Sequence, residues 1–229
     1  MAQRKRKTKK QEEVLLDITE VTGQAEDFLE RYQKQIFIGL TALVVLVGGY
    51  FIYRNAYQIP KNKEAIEQMA QAEWQFQRDS FALALTNPGA GYPGFADIVK
   101  QYSGTPAGNV ALYYAGICCL NLGQYDAAIS YLDDYDPNDE YTRATKFGAL
   151  GDAWSEKGEL EKALGYYKKA ANASDNEITA PYYLKKYAML STKLEKTEQA
   201  VEAWKKVKQK YPFAPEATDA EKQLARLED

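Results

Sequence analysis

The strongest constraint on the fold is a pattern that recurs through the second half of the chain. Ala128, Ala163 and Ala200 each stand near the start of an amphipathic stretch, at intervals of 35 and 37 residues. A small residue precedes each alanine in phase and a large residue follows it: Gly116, Gly151 and Ala188 are the small residues, and Leu132, Tyr167 and Trp204 the large ones. Such a period predicts antiparallel helix pairs that stack into a solenoid, because one pair cannot bury its own apolar face.

The phase of these positions resembles that of the tetratricopeptide repeat. The resemblance covers about residues 109–213, and the segments that carry it most clearly are NVALYYAGICCLNLGQYDAAISYL and KFGALGDAWSEKGELEKALGYYKKA. Their turn glycines, Gly123 and Gly158, suit a first helix that ends in the left-handed conformation. The third segment, YYLKKYAMLSTKLEKTEQAVEAWKKV, departs from the family with Glu195 at that turn, and Tyr135 stands where the family has a small residue.

A second feature is an uncharged apolar run from Ile36 to Tyr53, IFIGLTALVVLVGGYFIY, in a chain whose mean hydropathy is −0.52. At 1.5 Å per residue the run spans roughly 27 Å, close to the thickness of a bilayer's hydrocarbon core. Basic and aromatic residues flank both ends, as interfacial anchoring requires. A cleaved signal peptide would need a small-residue cleavage site, and a soluble core helix would be amphipathic. The run therefore predicts a transmembrane helix.

The distribution of charge favours one orientation in the membrane. Basic residues close to the span nearly balance, but six more lie between Arg4 and Lys10 and favour a cytoplasmic N-terminus. The repeat domain would then lie in the periplasm of a diderm bacterium, anchored in the inner membrane. The basic block could contact RNA, but beside a membrane helix we expect it to contact membrane lipids. Residues 36–229 carry 21 basic and 25 acidic residues, so we expect no nucleic-acid partner for the main domain.

These features predict an all-α chain with one N-terminal transmembrane helix and a tetratricopeptide-repeat solenoid of about 3.5–4.5 helix pairs. In both Tyr102–Pro106 and Tyr211–Pro215 a proline follows a tyrosine by four residues, which indicates a unit before the clear repeats. We expect that unit to begin with a helix over about residues 63–85. The expected parts are a basic, flexible cytoplasmic arm (1–23), a lead-in and transmembrane helix (24–57), a divergent first helix pair (58–108), three repeats (109–214) and a C-terminal capping helix (215–229).

The chain offers little for catalysis. It contains no histidine, which removes the commonest general base and metal ligand. The adjacent Cys118 and Cys119 are expected to be buried apolar residues, with a vicinal redox or metal pair as the alternative. The acidic residues between 133 and 140 lack the spacing of a calcium-binding EF-hand, and NPGAGYPG lacks the lysine of a phosphate-binding loop. We expect no catalytic residues, metal, cofactor or small-molecule substrate.

In tetratricopeptide domains the concave groove is lined mainly by the first helix of each pair. Projecting that face onto this chain predicts a groove for a peptide or helix, although each position could equally be neutral surface or packing. The predicted groove residues are Tyr113, Ile117, Leu120 and Asn121 from the first clear unit, Thr145, Gly148, Asp152 and Ser155 from the second, and Tyr182, Lys185, Met189 and Thr192 from the third.

The order of parts is similar to that of the YfgM family, bacterial inner-membrane anchors with a periplasmic tetratricopeptide domain. AEDFLERYQKQIFIGLTALVVLVGGYFIYR and FADIVKQYSGTPAGNVALYYAG carry the resemblance, which spans about residues 25–210. The chain departs from the family in its longer basic arm and in the insertion NPGAGYPG. The resemblance implies an ancillary subunit of the Sec translocon that works with a PpiD-like membrane-anchored chaperone on emerging secreted proteins.

An alternative assignment is a tetratricopeptide scaffold of another envelope complex. FADIVKQYSGTPAGNVALYYAG and VKQKYPFAPEATDAEKQL also resemble periplasmic repeat proteins that serve outer-membrane assembly and cell division. Co-purifying partners would discriminate between the two assignments.

Overall fold

The computed structural model describes residues 31–227, and the elements of that range are helices joined by turns and loops. The chain divides into two compact units between Ile59 and Pro60. The predicted basic arm (1–23), the start of the lead-in (24–30) and the last two residues of the predicted capping helix lie outside the described residues.

The first unit contains the predicted transmembrane segment. Residues 31–53 form helix α1, and Arg54–Gln58 continue it as a short π-helical stretch. The most apolar eighteen-residue window has a mean hydropathy of 2.2, and none of it is buried inside the protein. Val44, in the middle of the run, is 67% exposed. By length and composition this helix is able to cross a membrane, and residues 31–227 leave its apolar surface uncovered.

The second unit consists of consecutive helices over the described residues. They are α2 (Ile59–Phe76), α3 (Phe81–Thr86), α4 (Phe95–Gln101), α5 (Pro106–Asn121), α6 (Tyr125–Asp134), α7 (Glu140–Glu156), α8 (Leu160–Asn172), α9 (Thr179–Lys193), α10 (Thr197–Lys210) and α11 (Glu216–Leu227). Three hairpins follow one another: α5 with α6, α7 with α8, and α9 with α10. The first helices α5, α7, α9 and α11 also contact one another in that order, so they form one continuous layer.

The alanine repeat has the structural meaning that the sequence predicts. Ala128, Ala163 and Ala200 are each the fourth residue of the second helix of a hairpin, and all three are fully buried. The amide of each donates to the carbonyl of the residue before its helix, as at Ala128 to Gln124 (2.9 Å). The predicted equivalence of the three hairpins is confirmed.

The small and large positions of the repeat meet across each hairpin. A Cβ added to Gly116 would lie 2.6 Å from the side chain of Leu132, and one added to Gly151 would lie 2.6 Å from the ring of Tyr167. Contacts this short leave no room for a methyl group. The glycines therefore allow the two helices to approach, and the large residues fill the space between them.

Each hairpin turns through a residue in the left-handed region. Gly123 and Gly158 have φ of 73° and 81°, and Glu195 adopts the same conformation with φ 59°. In each case the next amide donates back five residues into the first helix, as Lys196 does to Ser191 (2.9 Å). This is the Schellman arrangement, in which glycine avoids the Cβ clash that other residues incur.

The N-terminal part of the solenoid differs from the predicted single helix over residues 63–85. Helix α2 ends at Phe76, and the turn contains Asp79 in the left-handed region (φ 57°). The amide of Ser80 donates to the carbonyl of Gln75 (3.0 Å), as in the other three turns. The fourth residue of α3 is Ala84, which is fully buried like the repeat alanines. Helices α2 and α3 therefore reproduce the hairpin of the later units.

The second helix of this first repeat of the solenoid is interrupted by an insertion. Ala84 and Tyr102 are seven residues further apart than Ala200 and Tyr211, the corresponding pair in the last hairpin. The extra residues form the loop between α3 and α4, which the side-chain amides of Gln71 and Gln75 hold by donating to the carbonyl of Pro88 (3.3 and 3.0 Å). The second helix of this repeat is therefore present as two shorter helices, α3 and α4.

Replacing Glu195 with glycine is expected to raise the free energy of unfolding by about 1 kcal/mol, because glycine adopts the left-handed conformation without steric cost. The reverse change at an equivalent turn, Gly158→Glu, should lower it by about the same amount. Urea denaturation of the full-length protein in neutral detergent, followed by circular dichroism, measures both. A Glu195→Gly variant no more stable than the parent would contradict the role given to this turn.

Candidate protein-binding groove

The first helices of the three hairpins form the layer on which the predicted groove residues lie. In the first hairpin, Ile117 and Leu120 are half-buried along α5 and pack at the edge of the core. Asn121 is exposed, and its side-chain amide donates to the carbonyl of Ile117 one turn earlier (2.9 Å). This end of the layer therefore presents mainly apolar surface.

Tyrosines occupy the centre of the layer. The ring of Tyr113 on α5 packs against that of Tyr135, with centroids 5.4 Å apart. Burial raises the pKa of Tyr113, and the nearby side chain of Thr145 on α7 partly opposes that shift. The structure thus brings two predicted residues together across the boundary between the first and second hairpins, Tyr113 from α5 and Thr145 from α7.

Gly148 contributes to packing and presents no free surface. It is buried, and the space that its side chain would occupy is taken by the ring of Tyr183 from α9. Burial raises the pKa of Tyr183, with the neighbouring Tyr113 as a further cause. The glycine lets α7 and α9 approach, and Tyr183 becomes part of the groove floor in its place.

Asp152 lies in a polar network that links the second and third hairpins. Its carboxylate accepts from the Tyr167 hydroxyl (2.6 Å) and from the Lys186 ammonium (2.7 and 2.8 Å). That ammonium also lies over the rings of Tyr182 and Tyr167, 5.2 and 5.5 Å from their centroids. Burial raises the pKa of Tyr167, as does its bond to Asp152. Ser155, one turn further along α7, also bonds to Tyr167.

The third hairpin contributes the most exposed apolar side chains of the predicted set. Tyr182 is 44% exposed, and its ring makes an edge contact with Tyr183 at 5.0 Å between centroids. Met189 is 55% exposed. Thr192 donates to the carbonyl of Ala188 within its own helix (3.0 Å), so its hydroxyl is already satisfied.

Lys185 ties the groove to the C-terminal helix. Its ammonium pairs with the carboxylate of Asp219 on α11, and this bond holds the pKa of Asp219 below its ordinary value of 3.8. Helix α11 packs against both α9 and α10 and closes this end of the layer. Lys185 therefore acts mainly within the protein.

Sequence reasoning missed Tyr183 and Lys186, which are the immediate neighbours of predicted residues. The helical projection selected Tyr182 and Lys185, whereas the structure turns the following residue of each pair towards α7. A signal was present, because glycine at 148 leaves a space that only a residue from the next hairpin can fill.

The other candidates for chemistry are buried or already have a partner within the protein. Cys118 and Cys119 are buried free thiols, and burial raises the pKa of Cys118 to about 12. The expected buried, apolar role is confirmed for both. At the end of α6, the Lys146 ammonium donates to the carbonyls of Asp133 and Tyr135. A lysine therefore already supplies positive charge to the acidic segment between residues 133 and 140.

Comparisons with known proteins support the fold. No protein-family model matches the sequence, and no curated protein matches it either. The solved structures that are similar include nearly identical TPR-like repeats of a kinesin light chain-like protein from Podosopora anserina, and a single-substitution variant of the same protein. Both are 14% identical to this chain over 72% of its length, with a TM-score of 0.56, and the matches cover 86% and 85% of those chains. At this identity the likeness shows a tetratricopeptide-like solenoid fold.

Replacing Gly148 with alanine is expected to lower the free energy of unfolding by about 1–3 kcal/mol, because the new methyl group displaces the Tyr183 ring. Gly165→Ala in α8 is the matched control, since no atom lies within 4 Å of its Cβ position. That change should raise stability by about 0.5–1 kcal/mol, the ordinary gain in a helix. Equal effects of the two substitutions on urea denaturation would show that Tyr183 does not occupy the space above Gly148.

Proposed function

We propose that this protein is a single-pass, membrane-anchored adaptor that binds other proteins along the layer formed by α5, α7 and α9. The observation that carries the proposal is a band of tyrosine and aliphatic side chains from α5 and α9, held across α7 by packing on Gly148 and by the Asp152–Lys186 pair, and partly open to solvent. Tyr182 and Met189 are its most exposed members among the described groove residues. Exposed aromatic and methionine side chains on a rigid support are typical of protein interfaces in which a few residues supply most of the binding energy.

The fixed floor beneath this band supports the same function. Tyr183 rests on Gly148, and Lys186 is held by Asp152 and by two aromatic rings. Side chains already ordered in the free protein lose less conformational entropy when a partner binds. The layer is therefore preorganised for an extended peptide or a helix.

We further propose that the partners belong to the Sec translocon. The resemblance to the YfgM family supports an ancillary subunit that works with a PpiD-like chaperone on emerging secreted proteins. A membrane anchor would hold the groove close to the channel exit, where a weak contact operates at high local concentration. The orientation expected from the basic arm puts the repeat domain on the periplasmic side, where those proteins emerge.

Alanine substitution of both Tyr182 and Met189 is expected to reduce co-purification of the bound partner by about tenfold or more, because each removes exposed apolar contact area. The control is Phe213→Ala, which removes an aromatic that is 91% exposed in the loop between α10 and α11. The full-length variants would be purified from detergent-solubilised membranes and their partners quantified by mass spectrometry. Partners unchanged by the double substitution would contradict the groove.

The identity of the partners in that experiment tests the finer assignment. Sec subunits and a membrane-anchored chaperone are expected with the unmodified protein. Components of outer-membrane assembly or cell division, without Sec, would instead favour the envelope scaffold. An adaptor role of either kind fails if only lipids and no protein are retained.

The proposed orientation predicts that a cysteine at the exposed Ser130 on α6 reacts with a membrane-impermeant maleimide once the outer membrane alone is permeable. Cys118 and Cys119 need no replacement, because burial keeps their thiols unreactive. The unsubstituted protein is the control and should remain unlabelled. Labelling of the variant only after the inner membrane is also disrupted would place the repeat domain in the cytoplasm.

A further inference from the structure

A second surface of the repeat domain is basic, although the chain as a whole has a net charge of −3. Between α7 and α8 a depression of about 590 Å³ is lined by the cations Arg143, Lys168 and Lys169 and by the ring of Phe147. No carboxylate is among its lining residues in the described part of the chain. The depression thus joins positive charge to an aromatic wall.

The two lysines of this depression, Lys168 and Lys169, form no ion pair with any carboxylate of the described residues. Arg143 lies close enough to Asp139 to lower the pKa of that carboxyl, but Asp139 caps the start of α7 outside the lining. Burial raises the pKa of Tyr166, and the nearby carboxylate of Asp133 adds to that shift, so Asp133 is a further acid close to the site.

Neighbouring groups hold the cations in place. The Lys169 ammonium lies over the ring of Tyr166 (4.8 Å to the centroid) and near that of Phe147 (5.9 Å). From α10, the Lys206 ammonium contacts the side-chain oxygen of Asn172, another lining residue, at 3.5 Å. A lysine of the next hairpin therefore lies beside the depression. Lys210 lowers the pKa of Asp175, and Lys206 is close enough to that carboxylate to add to the shift.

This surface is separate from the groove. At 3.6 residues per turn, Arg143 lies about 180° around α7 from Asp152, and Phe147 lies about 100° from Gly148, so the two pairs occupy different faces of the helix. A ligand in the depression would leave the groove layer free, so the two surfaces are able to act together.

We propose that the depression binds an acidic segment of a partner protein that carries an aromatic or aliphatic side chain among its carboxylates. Carboxylates complement Arg143, Lys168 and Lys169, and the apolar side chain packs on Phe147 and the lysine methylenes. A lipid headgroup or a free phosphate would use the cations but leave the aromatic wall without a partner. The proposal does not depend on the groove, and with it the adaptor would hold two protein segments at once.

The test uses the full-length protein in neutral detergent and a fluorescent peptide of glutamates around one tryptophan, with binding followed by anisotropy. Reversing both lysines, Lys168→Glu with Lys169→Glu, is expected to weaken binding by about tenfold or more, because like charges then face each other. Gly165→Leu fills the depression without changing charge and should weaken binding similarly. The matched control reverses two exposed lysines elsewhere, Lys100→Glu with Lys193→Glu, and should bind as the parent does.

Each other outcome has a definite meaning. Peptide binding that survives both the charge reversal and Gly165→Leu overturns the proposal, as does the absence of binding to the parent. Displacement of the peptide by inorganic phosphate or dihexanoyl phosphatidylglycerol at comparable concentration overturns it in favour of a phosphate-group site. The Tyr182→Ala, Met189→Ala variant should bind this peptide normally, so failure of the groove and failure of the depression are distinguishable. Circular dichroism of each variant checks that the repeat domain is folded.

Discussion

The structure depends on close contact between a small residue on the first helix of each hairpin and a large residue on the second. Gly116 faces Leu132 and Gly151 faces Tyr167, in each case with no space for a methyl group between them. The hairpin geometry follows from these contacts, because the helix separation is set by what lies between the backbones. Once the separation is fixed, each hairpin has an apolar face that only the next hairpin can cover.

Contact between a small and a large residue also joins successive hairpins, where it forms the floor of the candidate groove. Gly148 admits the ring of Tyr183, so the packing that joins α7 to α9 also places an aromatic side chain at the centre of the layer. The Asp152–Lys186 pair adds a polar link across the same boundary. Stability and the candidate groove therefore depend on the same few residues, and a substitution that loosens the stack also alters the proposed binding surface.

Sequence reasoning predicted the clear repeats well because their phase depends on residue size at fixed spacing. Ala128, Ala163 and Ala200 are visible in the chain without knowledge of the fold. The first repeat was harder to predict, since an insertion of seven residues between Ala84 and Tyr102 disrupts the spacing that the later repeats share. For the groove, periodicity indicated which side of each helix faces the layer. It did not identify the partner residues from other hairpins, so the contact between Asp152 and Lys186 and the packing of Tyr183 on Gly148 appeared only in three dimensions.

In the first repeat of the solenoid, the second helix is interrupted by a loop, but the stack of helices continues past the interruption. Helices α3 and α4 occupy the path of one helix, while hydrogen bonds from Gln71 and Gln75 to the Pro88 carbonyl anchor the loop between them. Gly89 and Gly91, both with positive φ, have open space where a side chain would be. An additional domain or an affinity tag inserted between them would leave the packed interior unchanged, so the solenoid can acquire new parts at this point without a new fold.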